Sequence, residues 1–222
     1  MIKKSIYICC LGLLIICSSC FEIIEEVSLN DDGSGHVNLT LNLSRSKTKI
    51  NSLRLLDSIN DYKVPTETEF KKEFEEMVRQ VKATAGIVAV SYDMNFDDYI
   101  FTLSCDFSDI DALNKVITKF NPDKAASNGV AQKHFSFDRS NKVFKRDYPY
   151  DVAKEFNKVK MEDREVLENA SMTTIYRFLS PIKSAKNAQA KISGSRKAIM
   201  LKVSAKDLIS QQKSIKNQII LQ

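Results

Sequence analysis

Between His36 and Ser44 (HVNLTLNLS) apolar and polar residues alternate without a break. Val37, Leu39, Leu41 and Leu43 fall on one side of a strand, and Asn38, Thr40 and Asn42 on the other. Upstream, Phe21 to Leu29 (FEIIEEVSL) sets Ile23, Val27 and Leu29 on one face, which Glu25 interrupts. The turn cluster from Asn30 to Gly35 (NDDGSG) joins the two segments, so they predict an antiparallel hairpin with one wet face. A second hairpin repeats the pattern. Val88, Val90, Tyr92, Met94 and Phe96 alternate, Asp97-Asp98 makes the turn, and Tyr99, Phe101, Leu103, Cys105 and Phe107 alternate again.

Helical spacing takes over elsewhere. Pro65 precedes Thr66-Glu67-Thr68-Glu69, a capping-box pattern. Phe70, Phe74, Met77, Val78 and Val81 then share one helical face, and Gly86 is expected to stop the helix at a C′ position. Ser108 to Asp111 caps a second helix with Ile110, Leu113, Ile117 and Phe120 on its apolar side. A third is expected from Pro149 to Ala170. Between residues 45 and 63, Ile50, Leu53, Leu55, Leu56 and Ile59 suit a short helix or a loop lying on the core. Residues 121–133 (NPDKAASNGVAQK) are polar and turn-rich, the best internal boundary. Beyond them come a short hairpin (His134–Asp138 with Val143–Asp147), a strand from Thr173 to Phe178 stopped by Pro181, and a hairpin pairing Ala190–Ser193 with Ala198–Val203. A helical turn at Ala205–Gln211 and a last strand at Asn217–Leu221 close the chain. This order predicts an α+β fold, with antiparallel sheets built from hairpins and three main helices packed mostly on one face. A single domain over residues 20–222 is favoured.

The first twenty residues follow neither rhythm. Lys3 and Lys4 precede an uncharged apolar run from Ile6 to Cys17, and Ser18-Ser19-Cys20 follows. A spanning helix needs about 17–25 apolar residues. This run is shorter and reads as a signal peptide over residues 1–19 that is cleaved off. An uncleaved N-terminal anchor is the alternative. Of the five cysteines, Cys9, Cys10 and Cys17 leave with that segment. Cys105 then has only Cys20 as a possible partner, and its strand position reads as a buried, inert thiol.

Composition narrows the chemistry. The chain has 222 residues, 43% hydrophobic and 27% charged, an ordinary folding composition for one or at most two domains. Its two histidines, His36 and His134, lack metal-ligand spacing and read as surface or edge residues, so no metal or other cofactor is expected. The Asn30–Ser34 turn lacks the ligand spacing of a calcium loop. No phosphate-binding, dinucleotide, nucleophile-elbow or zinc-protease motif occurs, and the adjacent pairs Glu25-Glu26 and Glu75-Glu76 point apart, so no enzymatic activity is expected. Asn38-Leu39-Thr40 lies in a strand and is discounted as a glycosylation acceptor. Asp57-Ser58-Ile59 resembles a short O-glycosylation sequon, a weak three-residue signal.

Charge is uneven. Residues 21–120 hold 11 basic and 18 acidic side chains, net −7, whereas residues 121–222 hold 20 and 10, net +10. From Lys183 onward nine basic residues meet only Asp207. Such a basic end suits a solvated face, an anionic headgroup or an acidic partner protein. Nucleic acid is not an expected partner.

Ile16 to Cys20 (ICSSC) resembles a bacterial lipobox. The resemblance implies diacylglycerol transfer to Cys20, cleavage before it and usually a third acyl chain on its amine, which together anchor a protein stably. An ordinary secretory peptide cut before Phe21 or Glu22 is the alternative. Cys20 to Glu26, the turn and strand from Asn30 to Ser44, and the Thr174–Phe178 strand resemble envelope lipoproteins of Bacteroidetes type. The turn and second strand are also similar to the LppM-type lipoprotein domain, which would imply an amphiphile-binding α+β module. The expectation is a lipoprotein held to an envelope membrane, with the outer membrane favoured, through lipid on Cys20. Its non-enzymatic domain would bind an amphiphile or a partner protein, and a structural or assembly role without ligand is the alternative. For an amphiphile, Leu39, Leu41, Met94, Phe96, Phe101, Leu103 and Phe107 would face Phe70, Phe74, Met77 and Phe120, with the basic end at the headgroup.

Overall fold

Alternation builds the first hairpin as expected: β1 (Glu22–Leu29) pairs antiparallel with β2 (Gly35–Asn42), Glu22 opposite Asn42 and Leu29 opposite Gly35. Only glycine fits at position 35, because a Cβ there would lie 2.1 Å from the Ser28 carbonyl oxygen and 2.6 Å from the Phe107 ring. The computed structural model describes residues 21–56, 58–59, 62–119 and 133–222. Residues 1–19, which read as a signal peptide from the sequence, lie outside the described residues, as do Cys20, Phe120 and all but the last residue of the 121–133 boundary.

After β2 a 3-10 turn (Ser44–Ser46) leads into α1 (Lys47–Leu53), and a two-stranded ribbon, β3 (Ser58–Ile59) with β4 (Tyr62–Lys63), precedes α2 (Glu67–Lys82). The capping box is present: Glu69 N–H donates to the Thr66 hydroxyl, and Thr66 N–H donates to the Glu69 carboxylate. The helix ends earlier than Gly86. Thr84 N–H bonds back to the Val81 carbonyl and its hydroxyl to that of Gln80. Gly86, at φ +84°, instead forms the turn into β5 (Ile87–Asn95), where a Cβ would meet Ser108 and Ala112 at under 3 Å.

β5 and β6 (Ile100–Phe107) form the second hairpin, but not with unbroken alternation. Ala89 and Val90 together oppose Cys105, a bulge with Ala89 at φ +50°. An extra residue inverts the facing of what precedes it. Val88 therefore points outward and is 63% exposed, while Tyr92 and Met94 keep the inner face. In α3 (Ile110–Lys119), Asp109 accepts the Ala112 N–H as N-cap and Ile110 and Leu113 are buried.

The second half holds β7 (Phe135–Asp138) with β8 (Val143–Arg146), then α4 (Val152–Asn157) and α5 (Met161–Glu168). The expected single third helix is thus two short ones. Lys158 to Lys160 separates them, and Arg164 crosses the break to donate to the Val159 and Asn157 carbonyls. Then follow β9 (Ser171–Phe178), β10 (Ile182–Ala185), β11 (Lys191–Ile192), β12 (Ala198–Ser204), α6 (Ala205–Ile209) and β13 (Asn217–Leu221).

The strands assemble as a seven-stranded sheet, β11-β12-β9-β1-β2-β6-β5, and a four-stranded sheet, β10-β13-β8-β7. Pairing is antiparallel except between β1 and β9, which run parallel along their full length, Glu22 beside Ser171 and Leu29 beside Phe178. That pair corrects the expectation of hairpin-only sheets. It joins the two halves of the chain through a long-range contact that local turn signals do not encode. The four-stranded sheet packs on the inner face of the larger one, with the rings of Phe135 and Phe144 against Tyr176. Helix α2 packs on β5, and α3 lies between β6 and β7. The inner face is therefore shared between helices and a second sheet, not covered by three helices. The outer face is polar and wet, with His36 bonded to Asp106 and Ser91 to Ser104. Among the described residues no helix is long and apolar enough to cross a membrane.

Candidate functional site

The chain leaves β2 at Asn42 and turns straight into α1, whose Ile50 and Leu53 face back toward the start of β6. Thr66 opens α2 beside them. Leu43, Ile50, Leu53, Val64, Pro65, Phe70, Phe96 and Phe101 thereby line a cavity of about 410 Å³, within the ordinary range of about 300–1,000 Å³ for small-molecule sites. Phe70 carries its aromatic wall, with ring centroids 4.8 Å from Phe101 and 5.9 Å from Phe96. This apolar lining gives a hydrocarbon chain or ring system a dry surface.

Tyr99 supplies the cavity's polar point. Its backbone sits in the left-handed region at φ +54°, which is strained by about 1–3 kcal/mol for a bulky residue. Its hydroxyl donates to Asn51 Oδ1 at 2.5 Å and accepts from Arg54 Nη1 at 3.0 Å. Arg54 also pairs with Glu67 at 2.7 Å, and Lys63 pairs with Glu69. Lys63 and the Thr66 cap pull the Glu69 carboxyl down to about 2. The two cations of this lining thus already have carboxylate partners, and a headgroup reaching them would exchange with those carboxylates.

A second polar constellation lies in the core. Glu25 accepts from Arg146 Nε at 3.0 Å and Nη2 at 2.8 Å, and from the Tyr176 hydroxyl at 2.6 Å. Burial disfavours the charge of Arg146, but Glu25 outweighs it and holds the guanidinium firmly protonated. Burial, then the Glu25 charge, push the Tyr176 hydroxyl well above its ordinary value. Arg146 also donates to the Asp147 and His134 carbonyls and stands over the Phe135 ring. His134 is buried beside it, its Nε2 3.2 Å from the Tyr150 hydroxyl and its Nδ1 without a partner among the described residues. Burial and the Arg146 charge lower its pKa. His134 is therefore not the edge residue its strand-start position suggested. Asn114 draws it inward by accepting the His134 and Phe135 N–H groups at 2.9 and 3.0 Å. Glu25, His134, Arg146 and Tyr176 are all buried, and their geometry is that of an internal clamp.

The expected amphiphile set divides. Phe70, Phe96 and Phe101 line the cavity. Phe107 is in the core instead, and Phe74 stacks on Phe70 and packs at a tilt against Tyr92. Leu39, though on the inner side of β2, is 43% exposed. None of the nine basic residues from Lys183 onward lines the cavity; Arg54 and Lys63 hold that place. Sequence spacing missed them because it picks out apolar positions such as Ile50 and Leu53, not the cations that flank them. Cys105 is buried as expected, and burial pushes its thiol up to about 11. His36 is exposed, Ser58 lies exposed on β3, and the Asn30–Ser34 turn is closed by Asp32 accepting from Ser34. No group of three or more His, Cys, Asp and Glu that could hold a metal occurs among the described residues. Cys20 lies outside them.

No family model matches the chain, and no curated protein matches it either, so neither comparison supports the resemblance to Bacteroidetes-type lipoproteins. Among solved structures, the chain is similar to the folded domain of LppM from Mycobacterium tuberculosis, determined by NMR. The TM-score is 0.43 and the identity 13%, over 92% of this chain and 90% of that one. A likeness that distant transfers no site.

Proposed function

We propose that this protein is a bacterial envelope lipoprotein, held to a membrane by acyl chains on Cys20, whose folded domain takes the apolar part of an amphiphile into the cavity beside α1. The outer membrane is the favoured location, and the function involves no catalytic step. The observation that carries the ligand reading is the apolar cavity of about 410 Å³ with Tyr99 and Arg54 as its polar point. The signal and lipobox pattern at residues 1–20 carries the anchor.

The anchor is tested by metabolic acyl labelling: wild type takes label, and Cys20→Ser does not and accumulates as precursor. Equal label in both overturns it. For the cavity, the full chain in membranes is exposed to a photoreactive long-chain fatty acid. Cross-links are expected on the segments around Ile50, Phe70 and Phe101. They should fall sharply in Ile50→Trp and Phe70→Trp, which fill the cavity, while the far-ultraviolet circular dichroism stays unchanged. Labelling that misses these segments, or ignores both substitutions, overturns the ligand reading. It then leaves a structural or assembly lipoprotein, with the exposed Leu39 as a surface a partner would cover.

A further inference from the structure

We infer that the pole of the molecule carrying the cavity is its membrane-contacting pole, with Leu55 and Leu56 seated in an anionic lipid surface and the cavity opening toward it. The inference rests on the anchor reading above and adds an orientation to it.

The register fixes the pole. Glu22, the second residue after Cys20, stands opposite Asn42, which pairs with Ile100, which in turn pairs with Asn95; on the other side Glu22 pairs with Ser171. These strand ends form one row, so an anchor on Cys20 emerges from this end of the large sheet. Leu43 continues from the same row, its N–H bonded to the Tyr99 carbonyl at 2.9 Å. Arg54 is tied to the Tyr99 side chain. The turn after α1 is thereby fastened to the end of the molecule where the anchor leaves.

That turn presents the two most unexpected apolar side chains of this end. Leu55 is 87% exposed and Leu56 51%. Adjacent exposed leucines are unfavourable in water and favourable at the boundary of headgroups and acyl chains. From Leu43 to Leu56 the chain carries four cations, Arg45, Lys47, Lys49 and Arg54, and the first acidic residue after them is Asp57. Lys47 is paired with Asp98 at 3.5 Å and Arg54 with Glu67 at 2.7 Å, which leaves Arg45 and Lys49 to face a surface. Leucines at the tip with Arg45 and Lys49 on the flank match an anionic bilayer surface, where long basic side chains reach headgroups while the apolar tip enters. The cavity lies immediately under this turn, lined by Ile50, Leu53 and Arg54 from the same segment. An amphiphile could then pass between bilayer and cavity without crossing water.

The test uses the acylated full chain in vesicles containing anionic lipid. An environment-sensitive fluorophore is attached through Leu55→Cys or, as a control, Asp31→Cys; the native Cys105 is buried. Asp31 sits at the far end of the β1–β2 hairpin, about 23 Å away along the strand. Lipid-borne quenchers are expected to extinguish the fluorophore at position 55 and leave that at position 31 unaffected. Replacing the anionic lipid by zwitterionic lipid should weaken quenching at position 55. Quenching at position 31 and not 55, or at neither, overturns the orientation. Quenching indifferent to lipid charge overturns the anionic surface. Failure of acyl labelling at Cys20 identifies instead a failure of the anchor, and failure of fatty-acid cross-linking a failure of the ligand reading.

Discussion

Arg146 grips both carboxylate oxygens of Glu25 across the packed faces of the two sheets, β8 of the smaller to β1 of the larger, at 3.0 and 2.8 Å. Both side chains are almost wholly buried. Removing one charge from such a pair strands the other in a low-dielectric interior. Arg146→Met or Glu25→Leu alone is therefore expected to lower stability by about 3–5 kcal/mol, and the double apolar replacement to recover most of it. Urea unfolding of the four proteins measures the cycle. Equal losses that simply add would show that the pair is not coupled.

His134 makes stability depend on pH in a defined direction. Its folded pKa lies below the unfolded value of about 6.5, because burial and Arg146 oppose its charge. Between the two values the unfolded chain binds more protons. The stability contributed is complete above about pH 6.5 and is lost as pH falls through the folded pKa. Unfolding free energies from pH 7.5 down to 5 should decline, and His134→Gln should flatten that decline. An unchanged slope in the variant assigns it to other groups.

Cys105 is buried and its thiol is raised to about 11, so the thiolate fraction at neutral pH is very small. Alkylation of the folded protein should be slow and should become rapid in denaturant. Cys105→Asp places an unpaired carboxylate in the core and should cost several kcal/mol. Fast modification under native conditions would contradict the strand register.

Gly35→Ala tests close backbone approach. The added methyl would fall 2.1 Å from the Ser28 carbonyl oxygen, a backbone atom that cannot swing aside. A loss of about 1–3 kcal/mol is expected. Gly194→Ala, in open space, is the matched control and should be near neutral.

The sequence by itself determined the local elements. Strict alternation in β2 and β6, the capping box of α2 and the turn at Asn30–Gly35 are short-range signals, each enforced by sterics and hydrogen bonds within a few residues. The burial of Cys105 followed from the same alternation. Tertiary structure decided what depends on residues far apart in the chain. The parallel β1–β9 pair joins residues about 150 positions apart, and Glu25 is an interruption of an apolar face until Arg146 arrives, 121 residues later. The bulge at Ala89–Val90 inverted Val88 because one added residue changes facing without changing composition. The cavity was legible only in its aromatic wall. Its floor and polar point come from α1, Arg54 and Tyr99, with Tyr99 lying 45 residues beyond Arg54 in the chain, and these meet Phe70 and Phe101 only once the large sheet has brought its strand ends into one row.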